Sequence, residues 1–181
     1  MDAPDTSARL QELLDRTDIL DCIHRYTRGM DRLDRELARS AYHDDAIDEH
    51  TAYVGPVDGF LDWAFEYHAA QVRHQHYVTN HSVELDADTA HAETYYLFVG
   101  TDRDPDAPVL FTGGRYLDRF ERRDGRWAIA VRVCTVEWQT NVPALLSPDA
   151  VSFLATISTV ARDHTDVSYD RPLVVTRHLE G

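Results

Sequence analysis

Lysine is absent from the 181 residues, and all 18 basic side chains are arginine. That excludes Schiff-base chemistry on lysine and a Walker-type phosphate loop. Cysteine is nearly as scarce, with only Cys22 and Cys134. Two thiols cannot build a four-cysteine zinc site, and their spacing suits no redox motif. Free thiols in a reducing compartment are expected. Positive charge is in short supply: 32 acidic residues oppose 18 basic ones, for a formal net charge of −14. A chain this acidic is a poor partner for nucleic acid or an anionic membrane. No apolar run approaches the length of a membrane span. The opening MDAPDTSARL has no apolar stretch of the signal-peptide kind, so a cytoplasmic location is expected. No GxGxxG, haem or flavin motif occurs, so no cofactor is expected.

What is present suits one soluble domain, with 43% hydrophobic and 28% charged residues. Leu10, Leu13, Leu14, Leu20, Ile23 and Tyr26 follow a broken helical rhythm, with Thr17 and Asp18 as a cap. A short helix is expected over about 34–42, and another over about 57–72 from Phe60, Trp63, Ala64 and Tyr67. After His74 the period changes. Segments 76–85, 90–100, 109–122 and 126–138 read as four long strands. Gly113-Gly114 marks a bulge or bend, and Asp124-Gly125 a hairpin turn. Helices followed by a strand meander argue for an α+β fold, the helices packed on one face of a curved sheet. Residues 144–163 regain helical spacing through Leu145, Leu146, Val151, Phe153, Leu154, Ile157 and Val160. They are either a lid over a cavity or plain packing. The division expected is a main domain over 1–143 and an extension over 144–181, helix and tail, packed on it.

Several polar groups could carry chemistry. Tyr26 and Asp31 close the first helical region, where a core tyrosine and a surface aspartate are the plainer reading. His74 and His76 are two apart on a strand, which aims both rings at one face and is a metal-ligand geometry. His50 or a carboxylate could join them, but no third ligand is placed by the sequence, and no metal is expected. His76 and His81 differ by five positions, so a regular strand sends them to opposite faces. Histidine with a supporting aspartate is the usual general base near neutral pH. In the last strand Ala128, Ala130, Arg132, Cys134, Val136 and Trp138 share one face, and Trp127, Ile129, Val131, Val133 and Thr135 the other. The first face suits a cavity with Arg132 aimed into it; an arginine paired at a sheet edge fits equally well. The acidic runs Asp44-Asp45 and Asp48-Glu49-His50 read as solvated, with no calcium-loop pattern.

The segments RTDILDCIHRYTRGMDRLD, YHDDAIDEH, QHYVTNHSVELDADTAHAETYY and GGRYLDRFERRDGRWAIAVRVCTVEW resemble the SnoaL-like branch of the nuclear transport factor two-like superfamily over about residues 9–140. The resemblance implies a cone-shaped, strongly curved antiparallel sheet, a cystatin-like α+β barrel whose pocket is closed by N-terminal helices. It resembles most the elimination enzymes of the superfamily: scytalone dehydratase, bile-acid dehydratase and dehydrochlorinase types. On that pattern the catalytic aspartate falls on Asp31, the upstream tyrosine on Tyr26, the histidine on His76 (or His81) and the last-strand arginine on Arg132. Candidates to contact a substrate are Tyr53, Trp63, Asn80, Tyr95 and Tyr96. One departure is clear. Scytalone dehydratase carries a second histidine on the next strand, where this chain has Thr94, Tyr95 and Tyr96, with His91 too early. Tyr26 or Tyr53 then has to serve the leaving group.

The implied activity is a cofactor-independent lyase, of the dehydratase type, acting on a hydrophobic cyclic small molecule such as a steroid, terpenoid or polyketide. Asp31 and His76 are expected within hydrogen-bond reach in an apolar pocket. An isomerase or cyclase of the same fold is the first alternative, and a non-catalytic ligand-binding module the second. A homo-oligomer is expected, a trimer ahead of a dimer.

Overall fold

The computed structural model describes residues 5–104, 106–143, 147–157 and 160–175. It is an α+β fold: a curved, unclosed six-stranded sheet with helices over its concave side. Helix α1 spans Thr6–Asp31 and α2 spans Arg35–Arg39. Strands β1 (Tyr42–His50) and β2 (Tyr53–Pro56) follow, then α3 (Val57–Ala69). Strands β3 (Arg73–Asp86), β4 (Thr89–Thr101), β5 (Val109–Arg123) and β6 (Arg126–Val142) form the meander, and α4 covers Pro148–Ile157. The order across the sheet is β2-β1-β6-β5-β4-β3. All neighbours are antiparallel except β1 and β6, so the sheet is mixed rather than purely antiparallel. Among the described residues no helix is long and apolar enough to cross a membrane.

Helix α1 does not start at Thr17. Asp5 caps it by accepting from the Ser7 N–H, and the Thr17 hydroxyl turns back to the Leu13 carbonyl inside the helix. Its buried face is Asp15, Ile19, Cys22, Ile23, Tyr26 and Met30, whereas Leu10, Leu13 and Leu14 are exposed. The apolar rhythm misleads at this end because a polar residue does the anchoring. Buried Asp15 accepts from Trp127 Nε1 at 2.9 Å and from Arg122 Nη1 at 2.9 Å, tying α1 to the β5–β6 hairpin. Gly29 sits where α2 crosses: a Cβ there would lie 2.4 Å from the Ala38 backbone nitrogen.

Bulges bend the sheet, and they also overturn two strand-parity expectations. The β3–β4 register shifts between Val78 and His81, with Thr79 and Asn80 both exposed. That extra residue returns His81 to the same side of the strand as His76. The β5–β6 register shifts between Arg119 and Phe120, opposite Val131 and Ile129, which leaves Ala130 without a partner. Trp127 and Ile129 are core, yet so are Arg132 and Cys134. The two faces assigned to β6 by strict alternation therefore exchange at Ala130. A third shift falls at Gly113/Gly114, as the glycine pair suggested.

Of the C-terminal region, Leu145 and Leu146 lie outside the described residues. The segment after α4 lies against the domain. Arg162 donates to the carbonyls of His68 and Gln71, and Tyr169 and His164 both reach Asp34. The tail that follows carries a short 3₁₀ turn at Val167–Tyr169.

Candidate active site

Between α1, α3 and the concave face of the sheet lies a cavity of about 290 Å³. Its wall is aromatic: Tyr26 from α1, Phe60, Trp63 and Tyr67 from α3, Tyr96 and Phe98 from β4, and Tyr116 from β5. Three imidazoles join them, those of His50, His68 and His76.

Asp31 ends α1 where β3 begins its inward face. Its carboxylate accepts the His76 backbone N–H at 3.1 Å on both oxygens and the ring Nδ1–H at 2.7 Å. Three bonds from one residue hold ring and backbone together. In the neutral ring they set the tautomer, with the proton on Nδ1 and the lone pair on Nε2. The pair is little exposed, at 6% for the His76 side chain and 16% for Asp31.

The neighbouring histidines are held neutral. Burial pushes the His68 imidazole down to about 3, reinforced by His76. Burial, with His68 and His76 beside it, pushes His74 down to about 2. Asp31, His74 and His76 together could be read as a metal site, since their donor atoms lie within 4.8 Å of one another. The hydrogen bonds of His74 oppose that reading. Its Nε2–H donates to the Met30 carbonyl at 2.9 Å, and its Nδ1 accepts from Arg162 Nη2 at 2.7 Å. Both ring nitrogens are spent, one on a carbonyl and the other on a guanidinium. The donor set does not fit a metal.

Arg132 is placed differently from an arginine aimed into a cavity. It is wholly buried and absent from the cavity wall. Its Nε and Nη2 each donate to an Asp118 carboxylate oxygen at 2.7 Å. The guanidinium lies 4.3 Å from the centre of the Tyr26 ring and 4.2 Å from that of Tyr116. Burial disfavours its charge, but Asp118 and Tyr42 hold its pKa well above the ordinary value. Burial pushes the Tyr26 hydroxyl well above its ordinary pKa against the pull of Arg132, so Tyr26 keeps its proton. The small neighbours Ala128 and Ala130 leave no opening around Arg132, because the rings of Tyr26 and Tyr116 lie over it.

The remaining candidates divide. Trp63 and Tyr96 line the cavity. Tyr53 stacks behind Trp63 with ring centres 6.2 Å apart and spends its hydroxyl on the Pro56 carbonyl. Asn80 is exposed at the β3 bulge, and Tyr95 faces outward beneath Arg115. His81 bonds the Thr94 hydroxyl at 2.8 Å and does not line the cavity.

Sequence reasoning passed over a second buried network. Asp48, read as solvated, is wholly buried; it accepts from the Tyr42 hydroxyl at 2.8 Å and lies 3.3 Å from His50 Nδ1. Tyr42 in turn accepts from Arg132 Nη1 at 3.2 Å. The signal was there in YHDDAIDEH, where Ala46, Asp48 and His50 alternate with Ile47 and Glu49.

Residues 11–133 match the SnoaL-like domain model. A type-2 hexachlorocyclohexane dehydrochlorinase, LinA, superposes with a TM-score of 0.69 at 25% identity, over 77% of this chain and 97% of that one. A protein from Novosphingobium aromaticivorans proposed to be a scytalone dehydratase superposes with a TM-score of 0.65 at 14% identity, over 75% and 97%. A cystatin-like protein of unknown function from Nostoc punctiforme gives 0.55 at 19%, over 68% and 92%. No curated protein matches the sequence.

Proposed function

From the premise that this chain belongs to the SnoaL-like family, we propose that it is a cofactor-independent lyase of the dehydratase type. The substrate is a hydrophobic cyclic molecule, such as a steroid, terpenoid or polyketide, seated among Trp63, Tyr96 and the other aromatic walls. The fold and its dehydratase- and dehydrochlorinase-type neighbours support the coarser statement of a small-molecule-processing enzyme. One observation carries the finer one: the Asp31 carboxylate 2.7 Å from His76 Nδ1 at the wall of an aromatic cavity.

The chemistry follows from that contact. His76 Nε2 takes a proton from a carbon next to an activating group on the substrate, and the imidazolium so formed is stabilised by Asp31. The low-dielectric wall strengthens that stabilisation by keeping water out. Tyr26, protonated and in the wall, donates a hydrogen bond to an oxygen of the substrate. Arg132 acts behind it, through the Tyr26 ring, and does not touch the ligand.

Mass spectrometry of small molecules that copurify with the protein, followed by a panel of hydroxylated steroids and polyketides, tests the reading. An unsaturated product is expected. His76→Ala and Asp31→Asn should each lower turnover by about 10²–10⁴-fold, non-additively, with the circular dichroism spectrum retained. Full turnover in His76→Ala would overturn the assignment of the base.

A further inference from the structure

The cavity has a second polar corner. His50, at the end of β1, stacks on Phe60 with ring centres 4.8 Å apart, and its side chain is 17% exposed. β1 and β3 stand near opposite ends of the sheet order, so His50 and His76 enter the cavity from different sides.

The charges around His50 decide its state. On its own strand stands Asp48, wholly buried. The ladder partner on β6 is Cys134, and Tyr116 on β5 faces the ring at 6.2 Å. From α3 come Phe60 and Trp63, with His68 farther along, and β2 supplies Tyr53. Beyond Asp48 lie Arg132 and Asp118, which satisfy each other with two bonds. The guanidinium is therefore spent on Asp118 and reaches Asp48 only through the Tyr42 hydroxyl. Among the ion pairs of the described residues, His50 is the sole cation on Asp48. A buried carboxylate without a counter-charge is costly, and a protonated His50 removes that cost.

We propose that His50 is the proton donor to the leaving oxygen of the substrate, oriented and kept cationic by Asp48, which makes the leaving group a hydroxyl. The proposal rests on the elimination reading above. Burial alone would lower the His50 pKa, but Cys134 and Asp48 raise it to about 9. With Nδ1 on Asp48, Nε2 is the nitrogen that serves the ligand. As His76 takes the proton from carbon, the C–H pair becomes the new double bond. The C–O pair stays on the oxygen, which receives the His50 proton and leaves as water. His76 ends protonated and His50 neutral, and proton exchange with solvent resets both. Asp48 is a positioning residue in this scheme.

Two measurements on the full chain test it without a known substrate. In ¹⁵N NMR at pH 7, the His50 ring should show two protonated nitrogens, and Asp48→Asn should move its titration to lower pH. A neutral His50 ring in the wild type would overturn the proposal. Second, 4-nitrophenol serves as an oxygen ligand whose absorbance reports its ionisation. The wild type should bind it as the phenolate at a pH below its solution pKa. His50→Gln should weaken binding about 10- to 100-fold, the range for a charge-assisted hydrogen bond. His76→Gln should keep the phenolate bound. Absence of binding by the wild type, or loss in His76→Gln with retention in His50→Gln, would overturn the assignment. A substrate panel without turnover would instead sink the elimination reading and leave the nitrophenolate result standing.

Discussion

A guanidinium and two carboxylates whose side chains are buried to zero exposure, those of Arg132, Asp118 and Asp48, are hard to place by residue type alone. Each is tolerable because it is fully bonded. Arg132 spends its fork on Asp118 and its remaining nitrogen on Tyr42. Removing one partner should therefore be costly. Asp118→Asn is expected to lower the unfolding free energy by about 3–5 kcal/mol, the range for a broken buried pair. Asp45→Asn, which breaks the surface pair with Arg123, should leave the urea midpoint where it is. Equal midpoints for the two variants would show that the buried pair contributes nothing beyond a surface one. The same network explains why Arg132 could not be placed from the sequence. Its partner Asp118 is fourteen residues away on β5, and only the paired register sets the two side by side.

Among the elements, the helix–sheet order, the four long strands, the Asp124-Gly125 turn and the Gly113-Gly114 bend were all legible in local pattern. So was the meeting of the end of α1 with the start of β3, but only through a family likeness. Spacing alone left Asp31 as a surface residue. What strict alternation missed were bulges without a glycine to mark them, at Thr79–Asn80 and at Ala130. One inserted residue reverses the face of everything that follows, so strict alternation set His81 opposite His76, and Arg132 and Cys134 opposite Trp127 and Ile129, where each set shares one face. The start of α1 was missed for a different reason: its anchor is Asp15, a charge in an apolar position. Gly29 is a close-packing site of α1. Gly29→Ala would drive a methyl into the Ala38 backbone. It should destabilise the fold by about 1–3 kcal/mol, the cost of overpacking, although alanine is the better helix former. A raised urea midpoint for Gly29→Ala would mean that α2 is free to move away.

At the scale of the whole molecule, stability should peak near pH 6.5. His68 and His74 have folded pKa values of about 3 and 2, below the ordinary 6.5. Below pH 6.5 the unfolded chain binds protons that the folded one refuses, so stability falls on acidification. At pH 5 the loss reaches up to about 2 kcal/mol for each ring. His50 works in the opposite sense, with a folded pKa of about 9. Its contribution is complete below pH 6.5 and is lost as pH rises towards 9, by about 3 kcal/mol. Urea midpoints measured from pH 5 to pH 9 should trace a dome, and a flat profile would contradict both groups. The sheet order has a consequence for biosynthesis. Strand β6 is the last strand of the sheet to be synthesised, yet it lies at the centre, between β1 and β5. On the ribosome β1 can pair only with β2 while the next eighty or so residues are made, and the Arg132 that belongs beneath Tyr26 does not yet exist. Assembly has to wait for a pairing between distant parts of the chain, which is slow. Meanwhile β1 presents an open edge to any neighbouring nascent chain. Three acidic side chains exposed along it, Asp44, Asp45 and Glu49, repel a second copy of the same edge during that interval.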